Sequence, residues 1–110
     1  MALYIVTGSY TAAATKGMMT NPSDREAAVR PLVEATGGKL VSYHITTGDS
    51  DFMMMVETPD GAAMLAPLIV AGASGTVSNL KTVQAFTSAE FMAAQKKASQ
   101  IAGGYRPAGS

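Results

Sequence analysis

The chain has 110 residues, eight basic and eight acidic side chains that cancel to a formal charge of zero, one histidine, no cysteine, and 47% hydrophobic residues. Those figures hold one domain with one core and exclude disulfides, thiolate sites, a multi-histidine metal centre within one chain and the basic footprint of nucleic-acid binding. No apolar run is long enough to span a bilayer and no lipidation or polybasic motif marks a membrane surface; with no charged leader at its start and no cysteine, the chain is expected to be cytoplasmic.

In chain order, Leu3 to Thr11 reads as a strand, with Leu3 and Ile5 on one face and Tyr4, Val6, Gly8 and Tyr10 on the other. Gly8 inside this pattern signals a bulge or a close backbone approach. Thr11 to Thr20, rich in alanine, predicts one or two helical turns. A second helix follows, with Ser23 and Glu26 spaced as a capping box. Ala27, Ala28, Val29, Leu32, Val33 and Ala35 form its buried stripe. Pro31 within it removes a donor and crowds the carbonyl four residues back, at a cost of about 3 kcal/mol in a regular helix, so a kink is expected near Arg30. Gly37-Gly38 ends the helix in a left-handed cap.

Lys39 to Thr47 is the second strand, with Val41, Tyr43 and Ile45 on one face and Leu40, Ser42, His44 and Thr46 on the other. Gly48-Asp49-Ser50 turns the chain into the third strand, Asp51 to Thr58. Thr58 or Asp60 caps the next helix, and Pro59 suits its first turn. Met64, Leu65, Leu68, Ile69 and Ala73 make its inner stripe, Pro67 predicts a second kink, and Gly72 and Gly75 close it. Thr76 to Phe86 is the fourth strand, with Val77, Lys81, Val83 and Ala85 on one face and Leu80, Thr82 and Phe86 on the other. Thr87 and Glu90 form a capping box for a terminal helix over Phe91 to Ile101, whose late Lys96 and Lys97 suit the helix dipole. The domain is expected to span 1–102, with a tail over 103–110.

This order of strand, helix, strand, strand, helix, strand predicts a ferredoxin-like α+β fold. Two right-handed crossovers around a hairpin give a four-stranded antiparallel sheet with helices on one face and an extra C-terminal helix. The third strand sets a problem for that sheet. Phe52, Met54 and Val56 lie on one face, Met53 and Met55 on the other, so both faces want burial. The helices cover only one face. A second copy of the chain is the simplest cover for the other, so a homodimer or higher oligomer, built as a dimeric α/β barrel, is expected.

Several residues carry chemistry in principle. His44, the sole histidine, is in step with Ser42 and Thr46; in a pocket between paired sheets it could act as general base or ligate a haem, or it could be a hydrogen-bonded interface residue. Asp49 and Asp51 flank the hairpin turn and could bind a cation, act as an acid/base pair, or bond nearby amides as turn aspartates do. Tyr10 and Tyr43 could orient a substrate oxygen or pack with their hydroxyls at a wet edge. Lys39 and Lys16 could hold an anion or be solvated. The methionines at 18, 19, 53–55 and 64 could line an adaptable apolar ligand cavity or pack a core and a dimer interface. Gly72-Ala73-Ser74-Gly75 runs from helix to strand, the reverse of a phosphate cradle.

Gly37-Gly38-Lys39-Leu40, Gly48-Asp49-x-Asp51-Phe52, Glu57-x-Pro59-Asp60, Gly72-x-x-Gly75 and Ala85-Phe86 resemble the GYD domain family, as do Tyr10-Thr11 and Pro22 with Arg25. The resemblance runs from residue 3 to residue 91 and implies a small ferredoxin-like protein that pairs into a dimeric barrel. The tyrosine that helps name the family is Ser50 here. The expected role is a homo-oligomeric domain that binds a small apolar or modestly polar metabolite or acts as a scaffold, with no nucleic-acid or membrane partner. The alternative is a cofactor-light oxygenase, isomerase or hydrolase with His44 as base, assisted by Tyr10 or Asp49, and with Tyr43, Lys39, Ser42 and Thr46 around its ligand.

Overall fold

The computed structural model describes residues 1–110 and builds a four-stranded antiparallel sheet with helices on one face. The strands are β1 (Ala2–Tyr10), β2 (Lys39–Ile45), β3 (Phe52–Thr58) and β4 (Val77–Ala85), and the helices are α1 (Ala12–Thr20), α2 (Arg25–Glu34), α3 (Leu65–Ala73) and α4 (Ser88–Ile101). The spatial order β2-β3-β1-β4 is the ferredoxin-like arrangement. Central β1 and β3 pair from Ala2 opposite Thr58 to Gly8 opposite Phe52. Val6, Leu40 and Val56 are essentially inaccessible and form the core with Val33 and Met64. Each such side chain contributes ~1.5–3 kcal/mol by leaving water. The face of Tyr4, Val6, Phe52, Met54 and Val56 is therefore the helix-covered one, and Leu3, Ile5, Met53 and Met55 point to the bare one.

Two bulges change the expected faces of the edge strands. Leu40 opposes Val56 but Ser42 opposes Met55, so Val41 is the extra residue in β2. Leu40 therefore shares the helix face with Tyr43 and Ile45, while Ser42 and His44 face away from the helices. In β4, Ser78 opposes Ser9 and Lys81 opposes Thr7, with Asn79 at φ 53° inside the bulge. Val77 is thus on the helix face, and Val83, Ala85 and Lys81 are on the bare one. Gly8 is the residue that admits this arrangement: a Cβ there would lie 2.6 Å from Phe52 Cζ and 3.0 Å from Leu80 Cδ2.

The helix starts differ in detail from the sequence pattern. α2 is capped by Asp24, whose carboxylate accepts from the Ala27 N–H at 3.3 Å, in place of the Ser23–Glu26 box. Ser23 instead accepts from the Arg25 guanidinium at 3.1 Å, and Glu26 pairs with Arg30 at 3.4 Å. After α2, the Gly37 and Gly38 N–H groups donate to the carbonyls of Glu34 and Val33, with Gly37 at φ 81°. Pro67 is not mid-helix. A 3-10 turn over Gly61–Met64, capped by Asp60, precedes α3, so Pro67 falls in the first α-turn. Its ring would crowd the Ala63 carbonyl in a continuous helix; that carbonyl accepts from the Thr36 hydroxyl at 3.0 Å instead. The change of helix type also shifts the inner stripe. Met64 and Leu68 pack on the core, whereas Leu65 and Ile69 are exposed. In α2, Val33 is buried and Val29 packs on the core, while Ala27, Ala28 and Ala35 stay exposed.

α4 carries the expected Thr87–Glu90 capping box, with bonds of 2.9 and 3.0 Å. None of its residues is buried, and it makes no extensive contact with any strand or other α-helix. It extends the molecule to 61 Å, with a radius of gyration of 18.2 Å against ~13 Å for a compact chain of this length.

Candidate functional site

The hairpin aspartate builds the site from below. The Asp51 carboxylate accepts from the Tyr10 N–H at 2.8 Å, its N–H donates to the Gly8 carbonyl at 2.8 Å, and its carbonyl accepts from the Thr46 N–H at 2.9 Å. One residue thus ties the end of β1 to the β2–β3 turn. The Thr46 hydroxyl closes the same turn by donating to the Ser50 carbonyl at 2.6 Å. Asp51 is therefore turn chemistry, and Asp49 stands exposed in the turn beside it.

With its backbone held, Tyr10 reaches across to Tyr43, and their hydroxyls lie 2.6 Å apart. Between the two rings sits buried Phe52, 5.3 Å from Tyr10 and stacked on Tyr43 at 5.9 Å and 9°. Burial first, and then the bond to Tyr10, push the Tyr43 hydroxyl well above the usual phenol range, partly offset by the charge of Arg25. Tyr43 is therefore a neutral phenol at every physiological pH. The pair is also under-used. One hydroxyl donates to the other, and neither bonds to a further protein group, so one O–H has no protein acceptor and can donate to a guest.

Phe52 continues into an apolar cavity of about 200 Å³ between α2, α3 and the sheet. Val6, Val29, Leu32, Leu68 and Leu80 dominate its walls, with few polar groups, among them Arg25, Ser74 and Thr76. Arg25 is the cation at the junction. It lines this cavity and also two adjoining clefts, one walled by Tyr10 and the other by Tyr43. It forms no ion pair. Asp24 is spent on the helix cap and Glu26 on Arg30.

The bare face is different in kind. Ser42 opposes Met55 and His44 opposes Met53, with Ile5 beside Met55 and Val83 beyond it. His44 is exposed and makes no side-chain hydrogen bond; Lys39 is also exposed, opposite Glu57. The structure thus separates the expected site residues into three places. Tyr10 and Tyr43 meet on the helix face. His44, Ser42 and Lys39 share the opposite face. Asp49 and Thr46 belong to the turn. Tyr10 and His44 are on opposite sides of the sheet and cannot act on one substrate within one chain. No cluster of three or more His, Asp or Glu side chains is placed to hold a metal ion. Arg25, Phe52, Leu68 and Leu80 were not singled out as site residues from sequence; the common parity of Tyr10 and Phe52 in paired strands was the available signal.

The fold and this site define a small ferredoxin-like α+β domain with an apolar cavity roofed by two helices. The match of the GYD domain profile to residues 4–94 shows the particular family: the chain belongs to the GYD domain family. The Gly48-to-Phe52 segment that carries the resemblance is the Asp51 clamp, and Ser50 at the tyrosine position contributes its carbonyl to the turn.

Similar folds occur in solved structures. A transcriptional regulator from Neisseria meningitidis, in complex with L-methionine, matches at 17% identity and TM-score 0.56, over 79% of this chain and 51% of that one. This chain thus spans about half of that regulator. The FFRP-DM1 structure matches at 15% identity and TM-score 0.52, over 78% of this chain and 100% of that one. A protein from Thermus thermophilus matches at 16% identity and TM-score 0.52, over 80% and 96% respectively. At these identities the likeness is one of fold. No curated protein matches the chain in sequence. No helix is long and apolar enough to cross a membrane.

Proposed function

We propose that this protein is a ligand-binding domain that takes a small, mainly apolar molecule into the cavity between α2, α3 and the sheet. The carrying observation is the 200 Å³ of apolar-walled space above Phe52 in a chain that buries only eight residues. An apolar cavity of ~150 Å³ suffices for a benzene-sized guest, so this one suits a body slightly larger than one ring. The test is titration of the protein with 1-hexanol, followed by backbone amide NMR. Shifts clustered at Val29, Phe52, Leu68 and Leu80, and lost in a cavity-filling Leu68→Trp variant, support the proposal. No saturable shifts overturn it.

Self-association belongs to the same proposal. Ile5, Met53, Met55 and Val83 form an apolar centre on the uncovered face, and a second cytoplasmic copy pairing sheet to sheet as a dimeric barrel is the occupant we assign to it. The alternative is catalysis inside that pairing, with His44 as base beside Ser42. What favours it is their shared placement next to Met53 and Met55. Tyr10 and Asp49 have no part in that version.

A further inference from the structure

We infer that the ligand has an anionic head, a carboxylate on a short apolar tail, read by Arg25 and by the free hydroxyl of the Tyr10–Tyr43 pair. The inference rests on the proposed cavity binding and adds the chemical class of the guest. Three observations carry it. Arg25 is the only cationic side chain on the cavity wall, and the carboxylates next to it in sequence are engaged elsewhere, so its charge is not neutralised by an ion pair. Its one side-chain hydrogen bond, to the Ser23 hydroxyl, leaves most of the guanidinium donors for a guest. The two clefts that open beside it are walled by Tyr10 and Tyr43, whose paired hydroxyls hold one unspent donor.

Guanidinium and phenol are both donors, and neither is an acceptor-rich partner for a cationic head. A carboxylate accepts from both, whereas an ammonium group would face Arg25 with like charge. The acid Tyr43 stays protonated, and so remains a donor, because burial disfavours its phenolate. The apolar walls then select the tail. An amphiphile of this kind places its carbon chain over Phe52 and Leu68 and its head at the α2 start.

The experiment compares hexanoate with 1-hexanol, which share a tail length and differ in the head, using NMR titration of the full chain. Hexanoate is expected to bind at least tenfold more tightly than 1-hexanol. In Arg25→Gln that ratio should fall to near one, and in the Tyr10→Phe/Tyr43→Phe double variant, which removes both hydroxyls, it should fall several-fold. Amide spectra of both variants must retain the wild-type dispersion, since Arg25 sits at a helix start and the tyrosines lie in strands; if either variant is unfolded, the wild-type ratio and the remaining folded variant decide. Equal affinities for the two probes, or a preference that survives both substitutions, overturn the anionic-head inference while leaving apolar binding in place. Binding of neither probe overturns the cavity reading and this inference together.

Discussion

The two faces of the sheet share their strands but not their chemistry. On the helix side, alternating residues of β1 and β3 meet partners from α2, the 3-10 turn and each other, and end as Val6, Phe52 and Val56 with almost no exposure. On the other side, alternating residues of the same strands, Leu3, Ile5, Met53 and Met55, are only half-buried, and Val83 is 57% exposed. The apolar content is similar, and what separates the faces is whether something lies on top. Hydrophobic pattern therefore reports which surfaces want cover, and the helices decide which one a single copy supplies.

Two lysine substitutions one residue apart break this comparison most directly. Met54→Lys places a charge beside the core on a half-buried strand position, where it costs ~2–3 kcal/mol, a large share of the stability of a small domain. It should lower the midpoint of the melt seen by circular dichroism far more than Met55→Lys does. Met55→Lys puts the same charge on the bare face. It should leave the monomer folded and remove self-association in sizing experiments. A Met54→Lys protein as stable as Met55→Lys would mean the faces have been assigned the wrong way round.

Gly8→Ala tests the helix face at a finer scale. The added methyl meets Phe52 at 2.6 Å and Leu80 at 3.0 Å, side chains that also line the cavity. Overpacking of this kind costs ~1–3 kcal/mol, so the midpoint should fall by roughly 4–8 °C per kcal/mol. Gly48→Ala is the contrast, since nothing lies within 4 Å there and only its φ of 101° opposes the change.

Asp51 joins the faces' common edge, and its variants should rank next. Asp51→Ala leaves the Tyr10 N–H without its charged acceptor, a loss of ~1.5–3 kcal/mol. Asp51→Asn keeps an oxygen in place and should lose about half of that. Equal losses in denaturant titrations would show that the charge, rather than the hydrogen bond, holds the turn.

How much of this was legible in the sequence follows from what each signal measures. The fold order is legible because turn residues separate the apolar stretches and the central strands alternate, and Gly8 is marked as a close approach by its place inside a strand. The Phe52/Met54/Val56 parity was visible, but the side facing the helices was not, because both sets are apolar. The edge-strand faces were misassigned after Leu40 and before Lys81. One extra residue at Val41 or Asn79 reverses the side chains beyond it; valine carries no mark of a bulge, and asparagine only its tolerance of positive φ. Pro67 reads as a kink in sequence because the 3-10 turn ahead of α3 leaves no mark in composition. Nothing in the sequence marks Arg25 as a cation without an ion-pair partner, because only the folded hydrogen bonds reveal that Asp24 and Glu26 are engaged elsewhere.

The smallest expected effect concerns pH and sharpens the difference between the tyrosine pair and everything on the bare face. The Tyr43 hydroxyl titrates higher in the folded protein than its ordinary value of 10.0, chiefly through burial and then through its bond to Tyr10. The folded state therefore holds this proton more tightly than the unfolded chain does. Its contribution is complete below the unfolded value near pH 10 and is lost as the pH rises from there towards the folded one. Stability measured in urea between pH 8 and pH 9 should be flat for this group, and a decline should begin above pH 10. Tyr43→Phe removes the titrating hydroxyl and one bond of ~1 kcal/mol, so the variant should start less stable at pH 8 and decline less steeply above pH 10. If Tyr43→Phe kept the wild-type alkaline slope, the Tyr43 hydroxyl would have to be open to water, and the burial that keeps it protonated beside the Arg25 clefts would be lost with it.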